Sequence, residues 1–287
     1  MSHRSKTKST DTGVAEELWQ QFRAARTASL REPHGWLTLT SLQWLDETCA
    51  AMEIVPGLWS ATGDRACLTA STDDGLTELR TGRRVAGTVT AVLDDEESLF
   101  WVSHGGKDGD RIVVELARRA GRYAIRTRDA ESPTLTGFTG VPVFGYRPDL
   151  VLEGRFEPYP APLVEPIRTA HPAVQARHTG VGDVVFALPS LPEGPREVRL
   201  RAARDDTGSL SITFHDATNG STTALWRRLT TPPPAPDGAV VLDFNRAINY
   251  PSAFTPFGTC PMPVSSNTVD APIEAGERQP TGIGPAR

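Results

Sequence analysis

From residue 53 onward the chain repeats one pattern, in which short apolar or alternating runs are separated by turn residues. Asp94-Asp95 and the segments 107–109 and 205–208 mark such turns. Alternation with period two between turns is typical of antiparallel strands, and the lack of helical patterns between the runs argues against a parallel doubly wound sheet. The runs are residues 85–93, 98–103, 111–117, 122–128, 149–157, 183–188, 196–203, 209–214 and 239–244. We therefore predict a mainly β fold of antiparallel sandwich or barrel-like sheets.

The N-terminal segment carries a different pattern. Residues 14–31 place apolar side chains at helical spacing, and Pro33 ends the pattern. These side chains are Leu18, Phe22, Ala25 and Ala28 or Ser29. We predict an N-terminal amphipathic helix here. Residues 34–47 follow with bulky apolar residues three apart, which indicates either a second short helix or a packed loop.

These patterns divide the chain into five segments. They are a disordered tail at 1–13, an N-terminal helical segment at 14–47, an N-terminal β subdomain at 48–140, a C-terminal β subdomain at 141–280 with the motif cluster, and a tail at 281–287. The first tail is predicted from its Ser, Thr, Lys and Arg content. Proline-rich stretches at 158–166 and 231–236 are predicted as breaks between strands.

Composition excludes several classes of protein. The formal net charge is -5 and no basic stripe is present, so we expect no nucleic-acid partner. No run approaches the roughly 18 apolar residues of a membrane span, and the N-terminus lacks the apolar run of a secretory signal. The 3 cysteines are too widely spaced for a disulfide framework or a zinc knuckle. We therefore expect a cytoplasmic protein with no membrane partner.

Most candidate functional residues lie between Leu210 and Glu277. The strand 209–214 delivers His215 and Asp216 to a turn rich in Thr, Asn and Gly. Successive strand side chains point to opposite faces, so at most one of the two enters a given pocket. Asp216 is either a proton-transfer group or an Asx-type acceptor that caps the turn at Thr218. His215 is either a general base or an exposed histidine.

Two further groups of polar residues are candidates. Asp243 and Asn245 share one face of their strand end, where they either line a cavity or satisfy backbone amides of the following loop. Arg147 and Arg228 either bind an anion through a bidentate fork or form a buried ion pair. Cys260 has no local signature of a catalytic cysteine, and we expect it to be buried.

Several short motifs follow one another in a fixed order along this stretch. They are Phe214, Asp216, Thr218 and Gly220, then Thr223 and Arg228, then Asp243, Phe244, Asn245 and Asn249, then Cys260, Pro261, Pro263 and Asn267, and finally Ala275, Gly276 and Glu277. His34-Gly35-Trp36-Leu37 and Tyr146-Arg147 lie upstream. A chain with these motifs in this order resembles the bacterial and archaeal family known as domain of unknown function 1684. The resemblance covers about residues 19–280 and implies a shared fold.

This chain departs from the family pattern at polar positions. The family has Glu and Tyr where this chain has Thr222 and Ala224. The family run Ala-Tyr-Asn-Pro-Pro-Cys-Ala is AINYPSA at 247–253, so Ser252 stands where the family has Cys. A Glu, a Tyr and a Cys are therefore missing, and any activity that depends on them differs in this protein.

Two hypotheses of function follow. The first is a cofactor-independent enzyme that acts on a small organic molecule, anions included, by hydrolysis, isomerisation or cyclisation, in specialised metabolism. Asp243, Asp216 or His215 would then transfer the proton. The second is a non-catalytic small-molecule-binding or interaction protein. In the first, the residues that contact the ligand are Asn245, Asn249, Arg228, Arg147, Thr218 and Asn267. In the second, the same polar cluster either fixes the C-terminal loop or holds a ligand.

The sequence contains no pattern of a cofactor or metal site. His171 and His178 flank a proline and do not form a recognised metal-binding motif, and the chain has no phosphate-binding glycine loop. We expect neither a metal nor a cofactor, and the sequence carries no indication of oligomeric state.

Overall fold

A computed structural model describes residues 3–188, 194 and 196–281, with residues 3–12 described through their backbone only. This part of the chain forms two compact units. One consists of Ser29–Thr139, and the other joins the residues up to Ala28 with those from Gly140 onward. Residues 1–2 of the expected first tail and 282–287 of the expected second tail lie outside the described residues.

The unit 29–139 contains two antiparallel sheets. Its strands are β1 Leu39–Trp44, β2 Ala50–Ala51, β3 Leu58–Thr62, β4 Arg65–Ala70, β5 Thr77–Glu78, β6 Arg83–Arg84, β7 Gly87–Val92, β8 Ser98–His104, β9 Ile112–Arg119 and β10 Arg122–Asp129. Six strands pair in the order β1-β10-β9-β8-β5-β6, and four pair as β2-β3-β4-β7. Short helices are the 3₁₀ turns Trp36–Thr38 and Thr72–Asp74 and α2 Pro133–Thr136. Trp59 and Trp101, with ring centroids 5.7 Å apart, lie in the shared core.

The predicted helical segment is wrong from Leu39 onward. Residues Leu39–Trp44 form β1, which pairs antiparallel with β10. The apolar residues spaced three apart suggested a helix, but Leu39 and Ser41 are buried at strand spacing. Pairing with the backbone groups of the neighbouring strand β10 therefore decides the structure of this segment, and the local spacing of its apolar residues does not.

The second unit is built on one sheet. Its strands are β11 Val151–Arg168, β12 Gln175–Leu188, β13 Arg196–Arg204, β14 Leu210–Asp216, β15 Arg227–Thr231, β16 Ala239–Asp243, β17 Ile248–Asn249 and β18 Thr268–Val269. They pair in the order β16-β11-β12-β13-β14-β15-β17, and β18 adds to β14 in parallel. Three 3₁₀ turns are Pro148–Leu150, Phe244–Arg246 and Pro251–Ala253. The other pairings are antiparallel, which confirms the predicted fold class.

One face of this sheet carries the core of the unit. Along β14 the residues alternate between buried and half-buried, with Leu210, Ile212 and Phe214 on the buried face. They pack with the segment 269–275, which includes Ile273. The C-terminal segment therefore lies against the core face of the sheet and completes the core.

The predicted break at 158–166 is instead part of β11. The strand continues through the prolines with a shift of register between Pro158 and Leu163. Proline donates no ladder hydrogen bond, so it is tolerated where one strand edge is unpaired. The pairing of β16 with β11 ends at Arg155, which leaves that edge unpaired beside the prolines.

The N-terminal helix is confirmed, as α1 His3–Leu30, but its buried face differs from the predicted one. It includes residues 3–13, where the sequence indicated a disordered tail, because extending an existing helix costs little. Trp19 is buried whereas Leu18 is 49% exposed. The indole of Trp19 donates to the carbonyl oxygen of Asn245 at 3.0 Å, a partner that the helical spacing alone does not reveal. Among the described helices none is long and apolar enough to span a membrane.

Candidate functional site

Asp216 lies at the end of β14 in a fully buried ion pair with Arg227 of β15. Arg227 Nη2 donates to Asp216 Oδ2 at 2.8 Å and to the carbonyl oxygen of Ile273 at 2.8 Å. Burial lowers the pKa of Arg227, while the charge of Asp216 and its hydrogen bond oppose that shift. The pair thus connects two neighbouring strands to the C-terminal segment.

The other oxygen of Asp216 caps the turn that follows. Oδ1 accepts from the backbone and hydroxyl of Thr218 and from Ile273 N, the latter at 3.3 Å. The Thr218 hydroxyl also contacts the hydroxyl of Thr223 at 2.8 Å. This is the Asx-type capping that the sequence offered as one of two roles. Both carboxylate oxygens of Asp216 are therefore occupied by donors of the same unit.

Asp243 and Asn245 are also occupied by the local backbone. Asp243 Oδ1 accepts from the backbone and side-chain nitrogens of Asn245, at 3.1 and 2.9 Å, and so caps the 3₁₀ turn. Asn245 exchanges two hydrogen bonds with the backbone of Arg147, at 2.7 and 2.9 Å. The side chain of Arg147 points to Asp149 in a half-exposed pair. These residues fix the loops at the start of β11 and the end of β16.

Asn267 and Asn249 have comparable roles. Asn267 bridges β13 and β14, because its side chain accepts from Arg201 N and donates to the carbonyl oxygens of Arg201 and Thr213. Asn249 donates from its side chain to the carbonyl oxygen of Arg278 at 2.8 Å. Asparagine is well suited to this, since its amide offers both donor and acceptor to backbone groups.

The side chain of Glu277 binds Arg26 of the N-terminal helix, a contact that sequence reasoning missed. Its Oε1 accepts from Arg26 Nε at 3.0 Å and its Oε2 accepts from Asn249 N at 2.6 Å. Arg26 also donates to the carbonyl oxygen of Asn249 at 3.0 Å. Arg26 lies one helical repeat of seven residues after Trp19, so both face the same side of α1.

The opposite face of the sheet carries Thr213, His215 and Arg228. His215 Nδ1 lies 2.9 Å from the carbonyl oxygen of Leu225 and is partly exposed. Arg228 lies over the ring of Tyr250 at 5.6 Å. The structure therefore separates His215 and Arg228 from Asp216, as strand alternation requires, and Arg227 forms the buried ion pair in place of Arg228.

The segment after β17 crosses this opposite face. The Tyr250 hydroxyl contacts Thr213 Oγ1 at 2.5 Å, and Met262 N donates to the carbonyl oxygen of Arg168 at 2.9 Å. Burial raises the pKa of Tyr250, although Thr213 and Arg228 oppose this shift, so its phenol is neutral near pH 7.

Two cavities adjoin Tyr250 and Met262. The first, here called the Trp226 cavity, has a volume of about 230 Å³. Its lining is Arg168, Thr169, Ala170, Ala224, Leu225, Trp226, Tyr250, Ser252, Ala253, Met262 and Gln279. The second, here called the Thr213 cavity, has a volume of about 330 Å³ and includes Arg177, His178, Arg204, Ser211 and Thr213 in its lining. Burial lowers the pKa of His178, with Glu165 opposing and Arg201 adding to the shift.

The two arrangements differ in chemistry. The motif cluster is a set of buried polar groups that bind one another and the backbone. Its members are Asp216, Thr218, Thr223, Arg227, Asn245, Asn249, Asn267 and Glu277. The Trp226 cavity has mostly apolar and aromatic walls with a few polar groups, which is the usual composition of a small-molecule site. Across the described ranges no group of acidic, histidine or cysteine side chains is arranged to hold a metal ion.

Three of the positions at which this chain departs from the family pattern lie on one cavity wall. Ala224, Tyr250 and Ser252 all line the Trp226 cavity, whereas Thr222 is exposed. In the pattern that the resemblance implies, a proline stands at the position of Tyr250 and a cysteine at that of Ser252. The Trp226 cavity, which sequence reasoning did not find, is thus lined at three positions where this chain departs from that pattern.

Comparison with known proteins identifies a family for the second unit. The family model described as Protein of unknown function (DUF1684) matches residues 136–278. The solution NMR structure of the uncharacterized protein from gene locus rrnAC0354 of Haloarcula marismortui is 26% identical, covering 51% of this chain and 80% of that chain with a TM-score of 0.41. No curated protein matches the chain. Through residues 136–278, which hold β11 to β18 and the motif cluster, the chain belongs to the DUF1684 family.

Proposed function

We propose that the protein binds a small organic molecule in the Trp226 cavity and does not convert it chemically. The observation that carries the proposal is a contrast within one unit. The carboxylates of the motif cluster are occupied by internal donors, while the adjoining cavity of about 230 Å³ is open and mostly apolar.

The contacts of the motif acids support binding over acid–base catalysis. A general base needs a lone pair that faces the bound molecule. Asp216 is fully buried with both oxygens bonded, and Asp243 bonds Asn245 and pairs with Arg246. None of Asp216, Asp243 and His215 is part of the cavity lining.

The walls of the cavity support an apolar ligand. Trp226 is buried, and Leu225 and Met262 add further apolar surface. Alanines at 224 and 253 leave room where larger side chains would fill the space. Burying apolar ligand surface contributes about 25 cal/mol per Å² before the cost of association is subtracted.

Filling the cavity tests the proposal. The probe is N-phenyl-1-naphthylamine, a neutral dye whose fluorescence rises in apolar surroundings. We expect saturable binding by the wild type and at least about tenfold weaker binding by Ala253→Phe, because tenfold corresponds to only about 1.4 kcal/mol. Ala253 is half-exposed on the 3₁₀ turn 251–253, so the larger side chain can enter the cavity without displacing the core.

Ala239→Phe is the matched control. It adds the same side chain at an exposed position of β16 and should bind the dye as the wild type does. Circular dichroism and the melting temperature check that both variants are folded. Absence of saturable binding, or equal binding by Ala253→Phe and the wild type, would contradict the proposal.

We propose a cytoplasmic location for this binding. Cys49, Cys67 and Cys260 are all thiols rather than disulfide partners. Thiols are the usual state of cysteine in reducing compartments. Fractionation of the native host cells tests the location, and recovery from an extracellular fraction would contradict it.

A further inference from the structure

We infer that the ligand of the Trp226 cavity is an organic anion with a flat apolar body, its charged group bound at Arg168. The inference rests on the proposed function and specifies the ligand class. It depends on three properties of the cavity: the sign of its charge, the free hydrogen-bonding groups on its wall, and the shape of its apolar part.

The charge of the cavity is positive in a chain that is acidic overall. Arg168 belongs to the lining and no Asp or Glu does, although the chain has a formal net charge of -5. The lining of the adjoining Thr213 cavity is positive as well, because it contains Arg177 and Arg204 and no carboxylate. Both linings therefore carry arginine and no carboxylate, which favours an anion over a cation in these cavities.

Arg168 is available to bind such an anion. Within the described part of the chain its guanidinium has no carboxylate partner, whereas Arg199 and Arg201 on β13 are both paired with acids. An arginine presents a planar fork that fits a carboxylate or sulfonate through two hydrogen bonds. Arg168 is exposed and therefore lies at the rim of the cavity, where a charged group stays partly hydrated.

Two uncharged polar side chains also face the ligand without competing contacts. Ser252 and Gln279 line the cavity, and neither side chain forms a hydrogen bond to another described residue. This contrasts with the motif cluster, in which the asparagine side chains bind backbone groups. A hydroxyl and an amide can each donate to an oxygen of the ligand.

The apolar part of the cavity favours a flat body. Trp226 and Tyr250 contribute two aromatic side chains, and Ala170, Ala224 and Ala253 contribute only methyl groups. Aromatic walls and small residues together leave a space suited to a ring system, which stacks or packs edge-on against the aromatic rings.

Two dyes that share a ring system test the inference. 8-Anilinonaphthalene-1-sulfonate carries the anion, and N-phenyl-1-naphthylamine lacks it. We expect the wild type to bind the sulfonate at least about tenfold more tightly, the effect of one charged hydrogen-bonded contact. Arg168→Ala should remove most of this preference and Arg168→Lys should retain part of it. Added salt should reduce it, since the rim is exposed.

Arg80→Ala is the charge-matched control, since its side chain is 82% exposed in the other unit, and it should keep the full preference. Equal affinity for the two dyes, or a preference that survives Arg168→Ala, would overturn the inference and leave the proposed function standing. Sulfonate binding that persists in Ala253→Phe would place the anion elsewhere and overturn the inference too. Failure of both dyes to bind would instead contradict the proposed function.

Discussion

At Asp216, both carboxylate oxygens are bonded inside the unit, and the cation among their described partners is the equally buried Arg227. Removing the charge leaves a buried guanidinium without its counter-ion, which costs about 3–5 kcal/mol. We expect Asp216→Asn to lower the free energy of unfolding by about this amount. Hydrogen exchange of β14 and β15 amides measures the change.

Asp270→Asn serves as control for this prediction. Asp270 pairs with Arg196 at the surface, where both side chains are more than half exposed. Exposed pairs contribute about 0–1 kcal/mol, so the control should change little. Equal effects of the two substitutions would show that the Asp216 pair is not a buried structural contact.

Because Glu115 of β9 has a shifted pKa, we expect the stability of the unit 29–139 to depend on pH. Burial alone would raise the pKa of Glu115, but Arg128 and Arg126, with hydrogen bonds from Ser98 and Arg128, lower it below the ordinary value. A lowered pKa in the folded state stabilises the fold above the unfolded pKa, about 4.3 for glutamate. This stabilisation is lost as the pH falls below about 4 and through the lowered pKa.

Glu115→Gln tests that dependence. We expect wild type and variant to differ most in free energy of unfolding at pH 7 and to converge as the pH falls through the lowered pKa of Glu115. Hydrogen exchange of β9 and β10 amides measures both free energies. The control is Glu131→Gln, whose side chain is 66% exposed. A difference that does not change with pH would contradict the assignment.

Individual residue roles were predictable only where strand alternation decides them. Alternation separates His215 from Asp216, and the structure has them on opposite faces. Alternation alone does not say which face is the core. The ion pair is therefore formed by Arg227, which no sequence motif marked, and Arg228 lies over Tyr250.

At the scale of elements, α1 is joined to the motif cluster by Arg26. We expect Arg26→Ala to destabilise the helix by about 1–3 kcal/mol, because it leaves the buried Glu277 without its cation. Faster hydrogen exchange over residues 14–28 measures the effect. Arg23→Ala, which removes an exposed hydrogen bond to Gln20 and a contact with the Trp19 ring, should have a smaller effect.

A double-mutant cycle with Glu277→Gln completes the test. If Arg26 acts through Glu277, the two substitutions together should cost less than the sum of their separate costs. Strictly additive costs would mean that the helix is held by other contacts.

Elements with strong alternation were predictable, and those held by distant partners were not. β8 to β10 and β13, β14 and β16 lie within a few residues of the predicted runs. β1 was predicted as helix or loop because its strand character depends on β10, whose paired residues lie 80 to 89 positions further along the chain. β15, β17 and β18 were missed because they are short or polar and are defined by their partners in the sheet.

At the scale of the whole molecule, the two units have separate hydrophobic cores. The core of the unit 29–139 contains Trp59 and Trp101, and that of the other unit contains Phe186, Phe214 and Phe244. The family match begins at residue 136, so it covers the strands of the second unit but not α1, which docks on that unit.

The candidate site could be predicted only in part. The sequence offered backbone capping as one of two roles for Asp216 and for Asp243 with Asn245, and the structure shows these contacts. The sequence could not reveal that these residues bind one another, nor that Trp226 and Tyr250 line a cavity. Cavity walls come from β11, the loop after β14, the 250–262 segment and Gln279, which are distant in sequence.

One measurement separates the cavity from the motif cluster directly. Two tryptophans lie in the second unit, and each reports on one of the two places: Trp226 on the cavity, and Trp19, through its bond to Asn245, on the cluster. Their indole N–H resonances can be followed by NMR, with Trp→Phe variants for assignment, while 8-anilinonaphthalene-1-sulfonate is added. We expect a saturable shift of the Trp226 resonance with that of Trp19 unchanged. A shift at Trp19 without one at Trp226, or no shift at either, would contradict ligand binding in the Trp226 cavity.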